Sequence, residues 1–368
     1  MIRNANANVL TGLLFESLLG TGTMEWIPQW TAKFHTAVWL VLSLYTILLF
    51  STGLIILYIS KHISNNECIG CTLFDAFFGR ILGWVLNFIL VGFLILGASK
   101  AFLTGLDLIH YTTLPYTPKI ALVLFALSVP LQLLYAGYES LFRFQTVLLV
   151  PALFLAVVLL FISLRSADFR NLLPITAPPS LWTVDPLKAV MDLLQGLILF
   201  MVYIPLFIQL RVSYQGTMRA VLFAGIGIVL LNALNLLVVL TAFGSFEAST
   251  LHYPVLEAVR IQKMTGPLLE RLDLVFLMPV SVAVMSAVNL YAYGAYHVLS
   301  RYIPSRKRIA LIFVVVSMLT FVFIPSNFEF VSDVYESMMR TLEVILVGSL
   351  PVMLVKQRLQ IVERHVKK

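Results

Sequence analysis

About ten runs of roughly twenty apolar residues follow one another along the chain, near 5–32, 36–59, 81–104, 120–138, 144–164, 187–210, 218–243, 272–297, 308–325 and 335–356. A helix needs about 20 such residues to cross the roughly 30 Å of hydrocarbon in a bilayer. Within lipid only structures that satisfy every backbone N–H and C=O internally persist, which means helices and closed barrels. Barrel strands alternate apolar and polar over about ten residues, whereas these runs are apolar all round for twice that length. The expected fold is therefore an all-α membrane bundle of about ten transmembrane helices. Composition agrees, with 60% of the 368 residues hydrophobic and 12% charged, against about 25% charged in soluble domains. DNA-binding domains, cytosolic Rossmann enzymes and disulfide-stapled secreted modules are thereby excluded. No linker suggests a second domain, so 1–368 is expected to form one integral membrane unit. The first residues show no cleavable signal pattern, and the first run is expected to stay in the protein.

The net charge of +7 marks topology rather than a nucleic-acid partner. Counted by loop parity, about fifteen Lys and Arg fall on the side of both termini, among them Lys61, Arg80, Arg143, Arg211, Arg301 and the cluster Arg306-Lys307-Arg308. About eight fall on the other side, and Lys100 and Arg340 sit inside spans. A two-to-one excess in short loops places both termini in the cytoplasm, which requires an even number of spans. The cluster at 306–308 and the tail from Lys356 suit anchoring against anionic lipid.

The first run is interrupted by Gly20-Thr21-Gly22-Thr23 before resuming through Trp26 and Ile27 to Pro28. It is too long for one perpendicular helix and suits two half-helices joined by unwound backbone. Such backbone is tolerated at membrane depth only inside protein or along a wet cavity. Glycines at i and i+2 also permit close helix packing. Ten spans, however, divide into two five-helix repeats of opposite topology, about 5–164 and 187–356, in which span six is the partner of span one. Span six carries Gln195-Gly196 and, beyond it, Pro205. Paired interruptions in corresponding positions point to a binding site near the midplane of a 5+5 inverted-repeat transporter-like bundle, with helices 1 and 6 broken.

Several segments in order resemble the B subunit of spore germinant receptors: Gly20-Thr21-Gly22 with Pro28, Leu114-Pro115-Tyr116-Thr117-Pro118, Gly137 through Arg143, Asn171-Leu172-Leu173-Pro174, and Leu269-Glu270-Arg271-Leu272-Asp273. The resemblance extends over nearly the whole chain. It implies a ten-helix fold of the amino acid–polyamine–organocation transporter superfamily, located in the spore inner membrane. It also implies work beside A- and C-type receptor subunits and sensing of a small nutrient germinant such as an amino acid or sugar. Gln195 is an amide where many relatives are expected to carry a carboxylate.

A break at Gly20 to Thr23 presents free N–H groups and a positive dipole end to a ligand carboxylate, and freed carbonyls of span six suit an ammonium group. The expected ligand is a zwitterion or a polar neutral molecule. Thr21, Thr23 and Gln195 add side-chain hydrogen-bonding groups, and in the implied fold Ser286 and Asn289 of span eight face the ligand. Ionisable groups within spans are costly and mark function by default. Glu16, one turn before the first break, is a candidate proton-coupling carboxylate, counter-charge for a ligand ammonium, or partner of a buried donor. Lys100, near the outer end of span three, suits snorkelling or pairing across the cavity. Arg340 and Glu343 suit an i,i+3 pair, and Asp192 lies at the outer end of span six. Tyr293 and Tyr296 read as an interfacial belt, and the Glu270 to Asp273 segment as an ion-paired helix cap.

Other signals are slight. Cys68 and Cys71 form a C-x-x-C, but with His62 as the nearest further ligand the set is incomplete for a metal. The sequence carries no phosphate loop, no H-E-x-x-H and no Ser/His/Asp set at membrane depth. No cofactor, metal or enzymatic activity is expected.

Overall fold

A computed structural model describes residues 7–19, 26–65, 73–114, 116–136, 138–173, 183, 185–209, 212–262, 272–303, 307–323 and 328–366. These are helical almost throughout, and no strand occurs among them. Every expected run falls on helix. The first maps to α1 (Ala7–Leu19) and α2 (Trp26–Phe34), the second to α3 (Val38–Asn65), the third to α4 (Leu73–Thr112), the fourth to α5 (Lys119–Ala136) and the fifth to α6 (Tyr138–Ser163). The sixth is α7 (Asp185–Leu194) and α8 (Ile198–Gln209), joined by a 3-10 turn at Gln195–Leu197. The rest are α9 (Tyr214–Ala248), α11 (Leu272–Tyr302), α12 (Lys307–Phe323) and α13 (Phe328–Val366), with a short α10 (Pro254–Arg260) before α11. Among the described residues six helical stretches are long and apolar enough to cross a membrane, and the α7–α8 pair, bent by 47°, makes a seventh if it counts as one span. Over its thirteen described residues α1 rises about 20 Å.

Local chemistry supports these helices. Many threonine and serine hydroxyls inside the spans donate back to carbonyls one turn earlier, as in Thr46 to Leu42, Ser99 to Ile95 and Thr241 to Leu237, so these add no unsatisfied groups to an apolar run. Ser213 caps α9 by accepting the Gly216 N–H at 3.1 Å. Two long helices bend where glycine adopts positive φ, at Gly79 (φ 77°) in α4 and Gly244 (φ 71°) in α9.

The core is built around α1, whose Leu10, Leu13, Leu14, Phe15 and Leu18 are all buried. It packs against α6, α8, α9 and α11, the position expected of a helix that is apolar on every side. The longest seam joins α11 to α4. Outward faces remain apolar, with Ile120, Leu124, Phe154 and Ile312 exposed, as lipid contact requires.

Two connecting segments are held against the bundle where described. Residues 164–172 form 3-10 turns tied to α9, with the Asp168 N–H and the Asn171 amide both donating to the Thr241 carbonyl. Helix α10 buries Val255, Leu256, Ala258 and Val259 against α6, α9 and α11. At the opposite end, where α3, α11 and α13 finish, the Asn87 amide donates to Asp75 and to the Tyr302 hydroxyl, and Tyr302 donates to Asp75 at 3.0 Å. Lys356 of α13 donates to the Phe77 carbonyl.

Candidate ligand-binding site

The end of α1 and the turn of span six touch directly. A Cβ on Gly196 would stand 2.4 Å from the Ser17 carbonyl oxygen and 3.0 Å from the Leu18 Cα, so only glycine admits this approach. The bend at Gln195-Gly196 thus lies beside the last described turn of α1. Gly20, Thr21, Gly22 and Thr23 themselves lie outside the described residues.

Buried polar side chains gather around this contact. Glu16 is 1% exposed, and neither carboxylate oxygen has a hydrogen-bond partner. The Ser286 hydroxyl on α11 lies near it without closing a bond of normal geometry. Asn289, one turn further along α11, is fully buried with both amide atoms unpartnered, and the Gln195 Nε2 is likewise unpartnered. Tyr203 of α8 lies within electrostatic reach of Glu16 and donates to the Leu290 carbonyl at 2.7 Å. Natural interiors pair about nine in ten such groups, and each unmade bond costs about 1–3 kcal/mol. A concentration of them at one helix end serves no packing purpose and supplies the donors and acceptors a small polar molecule needs.

Beside Glu16 lies a cavity of about 830 Å³, including its mouth, among α1, α4, α6, α9 and α11. Fourteen of its eighteen described lining residues are apolar, and the others are Glu16, Thr104, Asn235 and Tyr253. Tyr253, just before α10, donates its hydroxyl to Asp107 of α4 at 2.8 Å, and His252 stands 3.3 Å from the same carboxylate oxygen. Gln195, Gly196, Ser286 and Asn289 do not line this cavity and sit in the core around α1.

Lys100 is half-buried on α4 and lies one turn before the lining residue Thr104. It is not at a helix end, because α4 runs three turns further to Thr112, its continuation stabilised by burial of Leu106 and Leu108. Snorkelling from a last turn therefore does not apply. Tyr293 is 5% exposed and stacks on His297, so it belongs to the core and not to an interfacial belt. Glu343 lies within electrostatic reach of Tyr291. Asp273 opens α11 in its first turn and is buried, while Glu270, Arg271, Cys68, Cys71 and the Asp192 side chain fall outside the described set. Among the described residues no group of three or more His, Cys, Asp or Glu is placed to hold a metal ion.

Sequence reasoning missed the amides. Asn232 of α9 is fully buried with both amide atoms unpartnered, and Asn235, one turn on, lines the cavity. Gln145 of α6 donates to the Ser286 carbonyl at 3.1 Å and leaves its Oε1 unpartnered. The available signal was an amide within an apolar span, which a search for ionisable groups passes over.

A sequence-family profile described as spore germination protein matches residues 6–331. No curated protein matches the chain. Among solved structures, crystal structures of mutants of a manganese transporter from Eremococcus coleocola share its fold. One superposes with a TM-score of 0.52 at 14% identity, covering 95% of this chain and 78% of that one. Another gives 0.51 at 15% identity with the same coverage.

Proposed function

Because the chain belongs to the spore germination protein family, we propose that it is the membrane subunit of a spore germinant receptor. In this role it binds a small nutrient, an amino acid or similar molecule, at the end of α1 and helps to trigger germination. The observation that carries this reading is Glu16, a carboxylate 1% exposed and unpartnered at mid-span, beside a cavity and next to the span-six bend. Such a group is retained inside a membrane where function requires it. The ligand contacts are Gly20, Thr21, Gly22 and Thr23 on one side and Gln195, Gly196, Ser286 and Asn289 on the other. Glu16 and Lys100 serve as coupling or counter-charge groups. A bound nutrient shifts the bundle between conformations to the extent that it binds one more tightly, and A- and C-type subunits read that shift. The two halves, about 5–164 and 187–356, form inverted repeats, and the protein sits in the spore inner membrane with both termini cytoplasmic.

The test is nutrient-triggered loss of optical density in spores lacking the chain and complemented with wild type or Glu16→Gln. Wild type should restore the response and the variant should not. A Glu16→Gln chain present at normal level with an unchanged dose–response would remove Glu16 from the site.

A second reading, an H⁺- or Na⁺-coupled amino acid transporter, is favoured by the transporter fold together with the buried carboxylate. Purified chain in proteoliposomes decides between them. Gradient-driven accumulation of radiolabelled amino acids would establish transport, and saturable binding without accumulation would leave the receptor role.

A further inference from the structure

We infer that the ligand of the cavity beside Glu16 is a primary amine with a branched apolar body, its ammonium on the Glu16 carboxylate and its body against α6 and α11. This rests on the nutrient-site reading above through Glu16, the group that the α1 end and the cavity share, since Gln195, Gly196, Ser286 and Asn289 do not line the cavity, and it narrows that reading to a ligand class.

The charge argument comes first. Glu16 is the only Asp or Glu among the described lining residues, and no Lys, Arg or His stands with it. An ionised carboxylate out of water without a partner is costly, and an ammonium with three donors is the complementary group. Both Glu16 oxygens are open to accept, being buried and without hydrogen bonds. Asn235 lines the same cavity, while the Tyr253 hydroxyl is already committed to Asp107. A carboxylate without an amine would meet only like charge.

The wall chemistry sets the rest of the molecule. Beyond Glu16, the lining on α6 and α11 is Leu, Ala, Val, Phe and Pro, and Ala152, Ala156 and Ala283 supply the room. A hydroxylated side chain would exchange water for hydrocarbon there, whereas each buried methylene gains roughly fourfold in affinity. Three further carbons, the step from alanine to leucine, are therefore worth about fiftyfold.

The experiment uses the detergent-purified full chain and four probes: 3-methylbutylamine, 4-methylpentanoate, L-leucine and L-alanine. Calorimetric titration should show the amine and L-leucine binding, 4-methylpentanoate not binding, and L-alanine about fiftyfold weaker than L-leucine. Glu16→Gln, checked for helicity and monodispersity, should weaken 3-methylbutylamine at least tenfold. Ala156→Phe, which fills the α6 side and leaves the carboxylate, should reverse the order of L-leucine and L-alanine. The inference is overturned if 4-methylpentanoate binds as well as the amine, if Glu16→Gln retains amine affinity, or if L-alanine matches L-leucine. Binding of L-alanine or a sugar without the branched amine would overturn the ligand class and leave the receptor reading standing. Failure of every probe, with and without partner subunits, would remove both.

Discussion

Asn289 separates a ligand contact from a structural residue. Its amide is fully buried on α11 with no hydrogen bond. Replacing a buried unpaired polar group by an apolar one of similar size is close to neutral or stabilising. Asn289→Leu should therefore leave the melting temperature of the purified chain unchanged or raised while abolishing the nutrient response of spores. A lowered melting temperature with a normal response would make Asn289 a structural residue. At this scale the sequence was partly legible. Glu16, Ser286 and Asn289 stood out as polar groups in apolar runs, and the structure sets Glu16 near Ser286 on facing helices. Asn232, Asn235 and Gln145 were not found, because their significance lies in burial, in the cavity that Asn235 lines and in the Ser286 carbonyl that Gln145 meets, and facing is a tertiary property that an all-apolar run does not encode. With apolar residues on every side, a span shows no stripe from which to infer its inner face.

Among the elements, the contact between the span-six bend and α1 makes the firmest demand on sequence. Gly196→Val would drive its side chain into the Ser17 carbonyl, and overpacking of this kind costs about 1–3 kcal/mol. The variant should melt several degrees lower and lose nutrient binding. Gly92 on α4 has nothing within 4 Å of an added Cβ, so Gly92→Ala should be neutral or stabilising by up to about 1 kcal/mol. Equal behaviour of the two variants in a thermal unfolding series would refute the contact. The bend itself could be anticipated from Gln195-Gly196. The extent of α4 could not, since bilayer thickness suggests a stop near 104 while tertiary burial carries the helix to Thr112. Helix α10 was hidden for a related reason: seven residues in a polar stretch become helical through the surface they cover on α6, α9 and α11.

For the molecule as a whole, the class follows from arithmetic on apolar runs and the expected direction from loop charges, while the order of packing follows from neither. Nothing in the sequence announces that the first helix lies at the centre. Direction can be tested with single cysteines after replacing Cys68 and Cys71 by serine. Thr183→Cys, beside α7, should react with an impermeant maleimide in intact cells, and Lys367→Cys only after permeabilisation. The reverse pattern would invert the topology. The hydrogen bond from Tyr253 to Asp107 has a consequence for resting behaviour, because Tyr253 is a wall of the cavity and its partner is on another helix. Withdrawing Tyr253 gives up a bond to a carboxylate, worth about 1.5–3 kcal/mol. Tyr253→Phe, which gives up that bond, should therefore loosen this wall of the cavity even in the chain without ligand.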